Sequence, residues 1–262
     1  MNIICFYLDG TLLNGDEEIH PLDRSLLTTR SDIPFIITTG RAITGIKGVF
    51  TRNGLFKTGE INYPIVAQNG AVLYNKNEVF LEHNPFDPQI QHLVLNTIRI
   101  HTDITFFLFE KSDIYVMHEN PLSSYYVQLW YMPVKPYDDS SSLSITKVMS
   151  LSMDSQRLQD IANSVSKFNI ETSFSLDFLF ELTPSGVDKG NGLQKLLRIL
   201  NQNEAQIYIA GDGQNDLPIF NQAFRSYCPS TASEEVKSKA DIIIDREKYG
   251  VLTPMLVDAG LF

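Results

Sequence analysis

The sequence predicts an α/β protein in which a parallel-sheet core is divided by an inserted α+β segment. Two observations lead there. Both ends of the chain carry short apolar runs without alternation, each separated from the next by a helical stretch. Such runs suit strands buried on both faces, and strands alternating with helices form parallel βαβ units. Between the ends the pattern changes to paired strands around polar turns, with fewer helices.

Taken in order, residues 3–8 are the first apolar run, closed by the turn pair Asp9-Gly10. A helix is expected over residues 21–29, a second strand over 33–38 ended by Gly40, and a helix from Arg41. A third strand covers residues 64–67, ended by Asn69-Gly70, and Asn75-Lys76-Asn77 joins a hairpin of residues 71–74 and 78–81. The middle segment predicts a helix over 88–100, strands over 104–109 and 114–118, and a loop over 120–142, rich in Pro, Tyr, Asp and Ser. A strand over 146–152 follows, then a helix capped by Asp154, then strands over 170–174 and 178–182. After Pro184 the alternation resumes. Residues 190–200 form a helix with Leu193, Leu196, Leu197 and Leu200 on one face. A strand over 206–210 ends at Gly211-Asp212-Gly213, a helix starts near Asp216, and residues 242–244 are the last strand.

At 262 residues the chain is long enough for a real core, and 43% hydrophobic with 20% charged residues is ordinary for a globular enzyme. A net charge of -10 argues against nucleic acid or an anionic membrane as partner, since both need a basic surface. Cys5 and Cys228 read as reduced core thiols. The N-terminus has no basic n-region, and no apolar run approaches the roughly 18 residues of a membrane span, so a cytoplasmic protein is the expectation. Oligomeric state is left open.

Four loops each follow an apolar strand: Leu8-Asp9-Gly10-Thr11, Thr38-Thr39-Gly40-Arg41, Gln68-Asn69-Gly70-Ala71 and Gly211-Asp212-Gly213-Gln214-Asn215-Asp216. In a parallel sheet, loops at the carboxyl ends of strands form the ligand crevice, so these four should converge. They offer carboxylates for a hard cation (Asp9, Asp212, Asp216), the Thr39 hydroxyl, amides, and glycines that let backbone N–H groups approach an anion. Turn chemistry alone accounts for Asp-Gly or Asn-Gly after a strand. Four acid or amide groups on the one tight turn 211–216 are harder to explain that way. Lys189, at a helix start, opposes the helix dipole unless an anion lies near, and a phosphate would supply it.

This order of motifs resembles the haloacid dehalogenase (HAD) superfamily, in its Cof-like or type IIB sugar-phosphatase branch. Phe6-Tyr7-Leu8-Asp9-Gly10-Thr11-Leu12-Leu13 is similar to the first motif, Asp-x-Asp-Gly-Thr after a strand. Thr38-Thr39-Gly40-Arg41 resembles the second, Lys189 in Gly186-Val187-Asp188-Lys189-Gly190 the third, and residues 211–216 the fourth. Gln68-Asn69-Gly70-Ala71, residues 233–241 and Tyr249-Gly250-Val251 are similar to further branch signatures. The resemblance implies a Rossmann-like parallel-sheet core of residues 1–81 plus 184–262, with a type IIB α+β cap over 82–183. It also implies a two-step, Mg²⁺-dependent phosphoryl transfer through an aspartyl-phosphate. Asp9 would act as general acid and base, and Thr39, Gly40, Lys189 and Asn215 would hold the phosphate. Asp9, through its carbonyl, and Asp212 would hold Mg²⁺, with Asp216 supporting them. The substrate would be a sugar phosphate or similar small phosphorylated metabolite.

The departure is Tyr7, which stands at the nucleophile's position. A tyrosine there removes the attacking carboxylate and one metal ligand, and puts a ring where the phosphate should sit. A phenol with pKa near 10 does not replace them. Ser230-Thr231-Ala232 stands where the branch has Gly-Asn-Ala. Two functions stay open: an active sugar phosphatase changed at one position, or a catalytically inactive binding or regulatory protein. A dinucleotide oxidoreductase is disfavoured because the third glycine of its fingerprint falls on Asp216. No Gly-x-Ser-x-Gly elbow is present, and the five histidines lack zinc-like spacing.

Overall fold

A computed structural model describes residues 1–262 apart from 56–58, 214 and 215. The chain enters through β1 (Asn2–Tyr7), α1 (Pro21–Thr29), β2 (Phe35–Thr38), α2 (Ile43–Arg52) and β3 (Ile65–Ala67), then folds back through β4 (Val72–Tyr74) and β5 (Phe80–His83). The middle runs through α3 (Pro88–Ile98), β6 (Thr105–Glu110), β7 (Asp113–Met117), α4 (Pro121–Leu129), β8 (Val134–Pro136), β9 (Lys147–Leu151), α5 (Ser155–Val165), β10 (Ile170–Leu176) and β11 (Leu179–Pro184). The last part comprises α6 (Lys189–Ile199), β12 (Gln206–Ala210), α7 (Leu217–Phe220), β13 (Arg225–Pro229), α8 (Glu234–Lys237), β14 (Ile242–Ile244), α9 (Arg246–Tyr249) and α10 (Leu252–Asp258).

The core sheet has the order β14-β13-β12-β1-β2-β3-β4-β5. It is parallel from β14 to β3, and β4 and β5 are antiparallel additions. The alternation of β1 splits its side chains between two apolar layers. Ile4, Phe6 and Leu8 pack with Phe35 and Leu252, while Ile3, Cys5 and Tyr7 pack with Leu193, Leu196 and Ile219. Both faces are therefore buried, which is why the strand reads as a continuous apolar run. The chain moves outward from β1 through β2 and β3, then returns to β12 on the other side. The carboxyl ends of β1, β2 and β12 flank that switch point, where ligands bind in such sheets.

The inserted segment forms its own sheet, ordered β10-β11-β9-β6-β7-β8. One face packs with Val94, Ile98, Leu158 and Ile161 of α3 and α5. The other, through Phe107, Phe109 and Met149, packs with Ala42 of the core. This is the α/β architecture expected, a Rossmann-like core carrying an α+β cap. β5 reaches His83 within the core sheet, and β11 keeps Pro184 in the cap sheet.

Residues 120–142 are not the expected loop. They hold α4 and β8. Asn120 accepts a hydrogen bond from the Ser123 amide at 2.9 Å and donates its own amide to Ser123 Oγ at 2.9 Å, with Pro121 in the first turn. That reciprocal cap, with proline at a position that needs no N–H, nucleates a helix in a segment whose composition suggests none. The helix expected from Asp216 is a single turn, α7.

Candidate active site

The loops after β1, β2, β3 and β12 meet beneath the cap. A cavity of about 230 Å³ lies there, and Asp9, Arg41, Lys189 and Asp212 line its core side. Gly10 shapes the first loop: its φ is +71°, and a Cβ there would lie 1.9 Å from Asp212 Oδ2. Only glycine admits that close approach at that backbone angle.

Asp9 turns toward Arg41, whose Nε donates to its Oδ1 at 2.9 Å. Arg41 Nη2 also donates to Glu17 at 2.6 and 2.7 Å, so one guanidinium joins two carboxylates. The Asp9 side chain is 52% exposed yet lies down in the cleft, enclosed by protein. Burial raises its pKa, but Arg41, Lys189 and Lys147 outweigh this and hold the carboxyl below its ordinary value. Thr39 Oγ1 lies 3.5 Å from Asp9 Oδ2 and accepts the Arg41 amide at 3.1 Å.

Lys189 Nζ donates to Asp216 Oδ1 at 2.8 Å, and the amides of Asp212 and Gly213 donate to Asp216 Oδ2 at 3.1 and 3.0 Å. Burial opposes charge on Lys189, but Asp216 more than offsets it and raises its pKa. The anion that a lysine at a helix start requires is therefore this carboxylate. Asp212 accepts from Thr11 Oγ1 at 2.7 Å. Burial, reinforced by Asp216, pushes its pKa up to about 7.

Tyr7 corrects one expectation. Its ring does not project into the cavity. It is 2% exposed and sits in the layer formed with Val66, Leu193 and Ile219. Lys189 Nζ lies 4.5 Å from the ring centroid, and a Cβ on Gly211 would lie 3.0 Å from Tyr7 Cδ2. The hydroxyl is buried with no hydrogen-bond partner among the described residues. Burial, with Asp216 adding to it, raises the phenol pKa well above 10.

The structure thus brings Tyr7, Asp9, Thr39, Gly40, Lys189, Asp212 and Asp216 to one place, while Asn215 lies outside the described residues. Asp212 and the backbone of Asp9 stand where the resemblance puts Mg²⁺ ligands, Asp216 is bonded to Lys189 and two amides beside them, and position 7 offers a ring in place of an anionic ligand. Among the described residues, no three Asp, Glu, His or Cys side chains are grouped to hold a metal ion.

Sequence reasoning passed over the cap's contribution. Lys147 and Glu181 form an ion pair whose side chains are 2% and 7% exposed. Glu181 lies opposite Met149 in the β9–β11 ladder, so Lys147, two residues from Met149, shares its face. From there Lys147 donates to Gly40 O at 2.9 Å, and Asn69 Nδ2 donates to Glu181 at 3.0 Å. Both cap charges thus grip core loops. The available signal was a lone charge in each of two otherwise apolar strands.

Residues 4–253 match the family model of haloacid dehalogenase-like hydrolases. The chain belongs to the haloacid dehalogenase-like hydrolase family. Phosphatase YwpJ of Bacillus subtilis is 24% identical over 285 residues, covering 96% of this chain and 97% of its own. A haloacid dehalogenase-like hydrolase from B. subtilis superposes with a TM-score of 0.82 at 20% identity, covering 97% of this chain and 99% of its own. The HAD subclass IIB sugar phosphatase BT4131 superposes at 0.77 with 16% identity over all of both chains. The haloacid dehalogenase fold is therefore shared with solved phosphatases, cap included. No helix among the described residues is long and apolar enough to cross a membrane.

Proposed function

We propose that the protein binds a small phosphorylated metabolite between core and cap, on a phosphatase scaffold whose covalent route is closed at Tyr7. The observation that carries this is the Tyr7 phenol, buried beneath Lys189 with no hydrogen-bond partner among the described residues, where the family's attacking carboxylate belongs. A carboxylate attacks phosphorus as an anion; a phenol held far above pH 7 does not. The remaining groups keep binding chemistry. Thr39, the loop at Gly40 and Lys189 supply donors for phosphate oxygens, and Arg41 Nη1, on a residue that lines the cavity, is buried with no partner among the described residues. Asp9 is held ionised by Arg41 in this arrangement. No step is assigned to Mg²⁺, whose donor set is incomplete.

An active sugar phosphatase altered at one position is the second reading. The presence of every other described motif residue around the cavity favours it. The core and cap limits of 1–81 plus 184–262 and 82–183 belong to the proposal, as does a cytoplasmic location.

Calorimetry with inorganic phosphate, beside an aryl-phosphate assay, tests the reading. The chain should bind phosphate, lose that binding in Lys189→Met, and release aryl alcohol at the same background rate in both proteins. Turnover in the unaltered chain that Lys189→Met abolishes would overturn it.

A further inference from the structure

We infer that the cavity prefers a phosphate monoester whose organic part is a single flat aromatic ring over a sugar phosphate. This rests on the phosphorylated-ligand reading and adds what the outer half of the cavity recognises. The inner half, nearest β1 and β12, is charged. The outer half is walled by Phe109, Trp130, Met132, Met149, Leu176 and Leu179. Aromatic faces and thioethers of this kind pack well against a flat π-system.

The polar groups on that wall satisfy one another. Lys147 pairs with Glu181 and donates to Gly40 O, while Asn69 Nδ2 and Ser175 Oγ both donate to Glu181. A hexose brings several hydroxyls, each of which gives up water on entering. Each one left without a partner weakens binding by about tenfold. An aromatic ring carries no such burden. Asn69 Oδ1, on a residue that lines the cavity, is buried with no partner among the described residues. It calls for a single N–H or O–H donor on the ring. The volume of about 230 Å³ is below the roughly 300–1,000 Å³ usual for ligand pockets, so it suits one ring and not two.

Trp130 is the only tryptophan in the chain, so its emission reports on this wall. The test titrates the full chain, with Mg²⁺ present, with phenyl phosphate, glucose 6-phosphate, inorganic phosphate and phenol, following Trp130 fluorescence and heat. Phenyl phosphate should bind at least tenfold tighter than glucose 6-phosphate and quench Trp130. Leu176 is 47% exposed on an edge strand, so Leu176→Gln should fold and should narrow that preference several-fold. Glucose 6-phosphate binding as tightly as phenyl phosphate, while inorganic phosphate binds, overturns the aromatic preference alone. If no phosphate compound binds the folded chain, or phenol binds as well as phenyl phosphate, the phosphorylated-ligand reading falls and this inference with it.

Discussion

Lys189 holds its ammonium 4.5 Å from the centroid of the Tyr7 ring while donating to Asp216 at 2.8 Å. The cation that would meet a phosphate thus rests on an aromatic face and a carboxylate. A cation over an aromatic face is stabilised by the ring quadrupole, by about 0.5–2 kcal/mol depending on desolvation. The ring needs no hydroxyl for this. Tyr7→Phe removes a buried group with no hydrogen-bond partner among the described residues, so it should leave stability unchanged or raise it by up to about 1 kcal/mol. Urea unfolding checks this. A loss of 1 kcal/mol or more would show that the hydroxyl has a partner.

The same replacement sets metal affinity. Mg²⁺ requires near-ideal octahedral oxygen ligation. With a ring at position 7 in place of an anionic ligand, binding should be weak. Tyr7→Asp should bind Mg²⁺ at least tenfold more tightly by calorimetry, and equal affinities would mean that the metal does not use position 7.

The Lys147–Glu181 pair offers a stability test with a distinctive shape. Removing one member of a buried pair strands the other charge and costs about 3–5 kcal/mol, whereas replacing both by apolar groups is often neutral. Glu181→Gln should therefore destabilise the fold by about 3 kcal/mol. Lys147→Met with Glu181→Leu should recover most of that. Hydrogen exchange should quicken at the Gln68–Gly70 turn in the double variant, because Gly40 O and Asn69 lose their cap partners. That turn is held in the left-handed region at Gln68 and Asn69, and a conformation of this kind persists when its surroundings over-determine it.

The strands and the four converging loops were legible because uninterrupted apolar runs and turn pairs are local signals. Lys189 was legible as a cation in want of an anion. That the anion is Asp216, 27 residues away, depends on how β12 sits beside β1. The direction of Tyr7 was available in principle: period-two alternation puts it with Ile3 and Cys5, on the helix-packed face. The Lys147–Glu181 pair was not, since its members lie on strands whose pairing no local pattern announces. α4 was hidden by a composition that reads as loop, although Asn120 and Ser123 have capping spacing.

Asp23 gives a pH signature remote from the site. It is fully buried and accepts the amides of Val251 and Leu252 at 2.7 and 2.8 Å. Burial outweighs those bonds and raises its pKa from 3.8 to about 6. A carboxyl whose folded pKa is raised stabilises the fold most below its unfolded pKa, and that contribution is lost as pH rises through the folded value. The stability of the chain relative to Asp23→Asn should therefore fall by about 2 kcal/mol between pH 4 and pH 7. A difference that stays flat over this window would contradict the assignment.

The central claim is that one side chain closes the covalent route in an otherwise assembled site. The most direct measurement is Mg²⁺-dependent hydrolysis of an aryl phosphate by the chain and by Tyr7→Asp, side by side. The chain should show no more than trace turnover, since loss of a covalent nucleophile costs several orders of magnitude. Tyr7→Asp should gain turnover by at least a thousandfold, an order-of-magnitude expectation from the same scale. Ordinary turnover by the unaltered chain, with contaminating phosphatase excluded by mass spectrometry, would contradict the claim. So would a Tyr7→Asp protein that folds, binds Mg²⁺ and stays inactive on aryl and sugar phosphates alike.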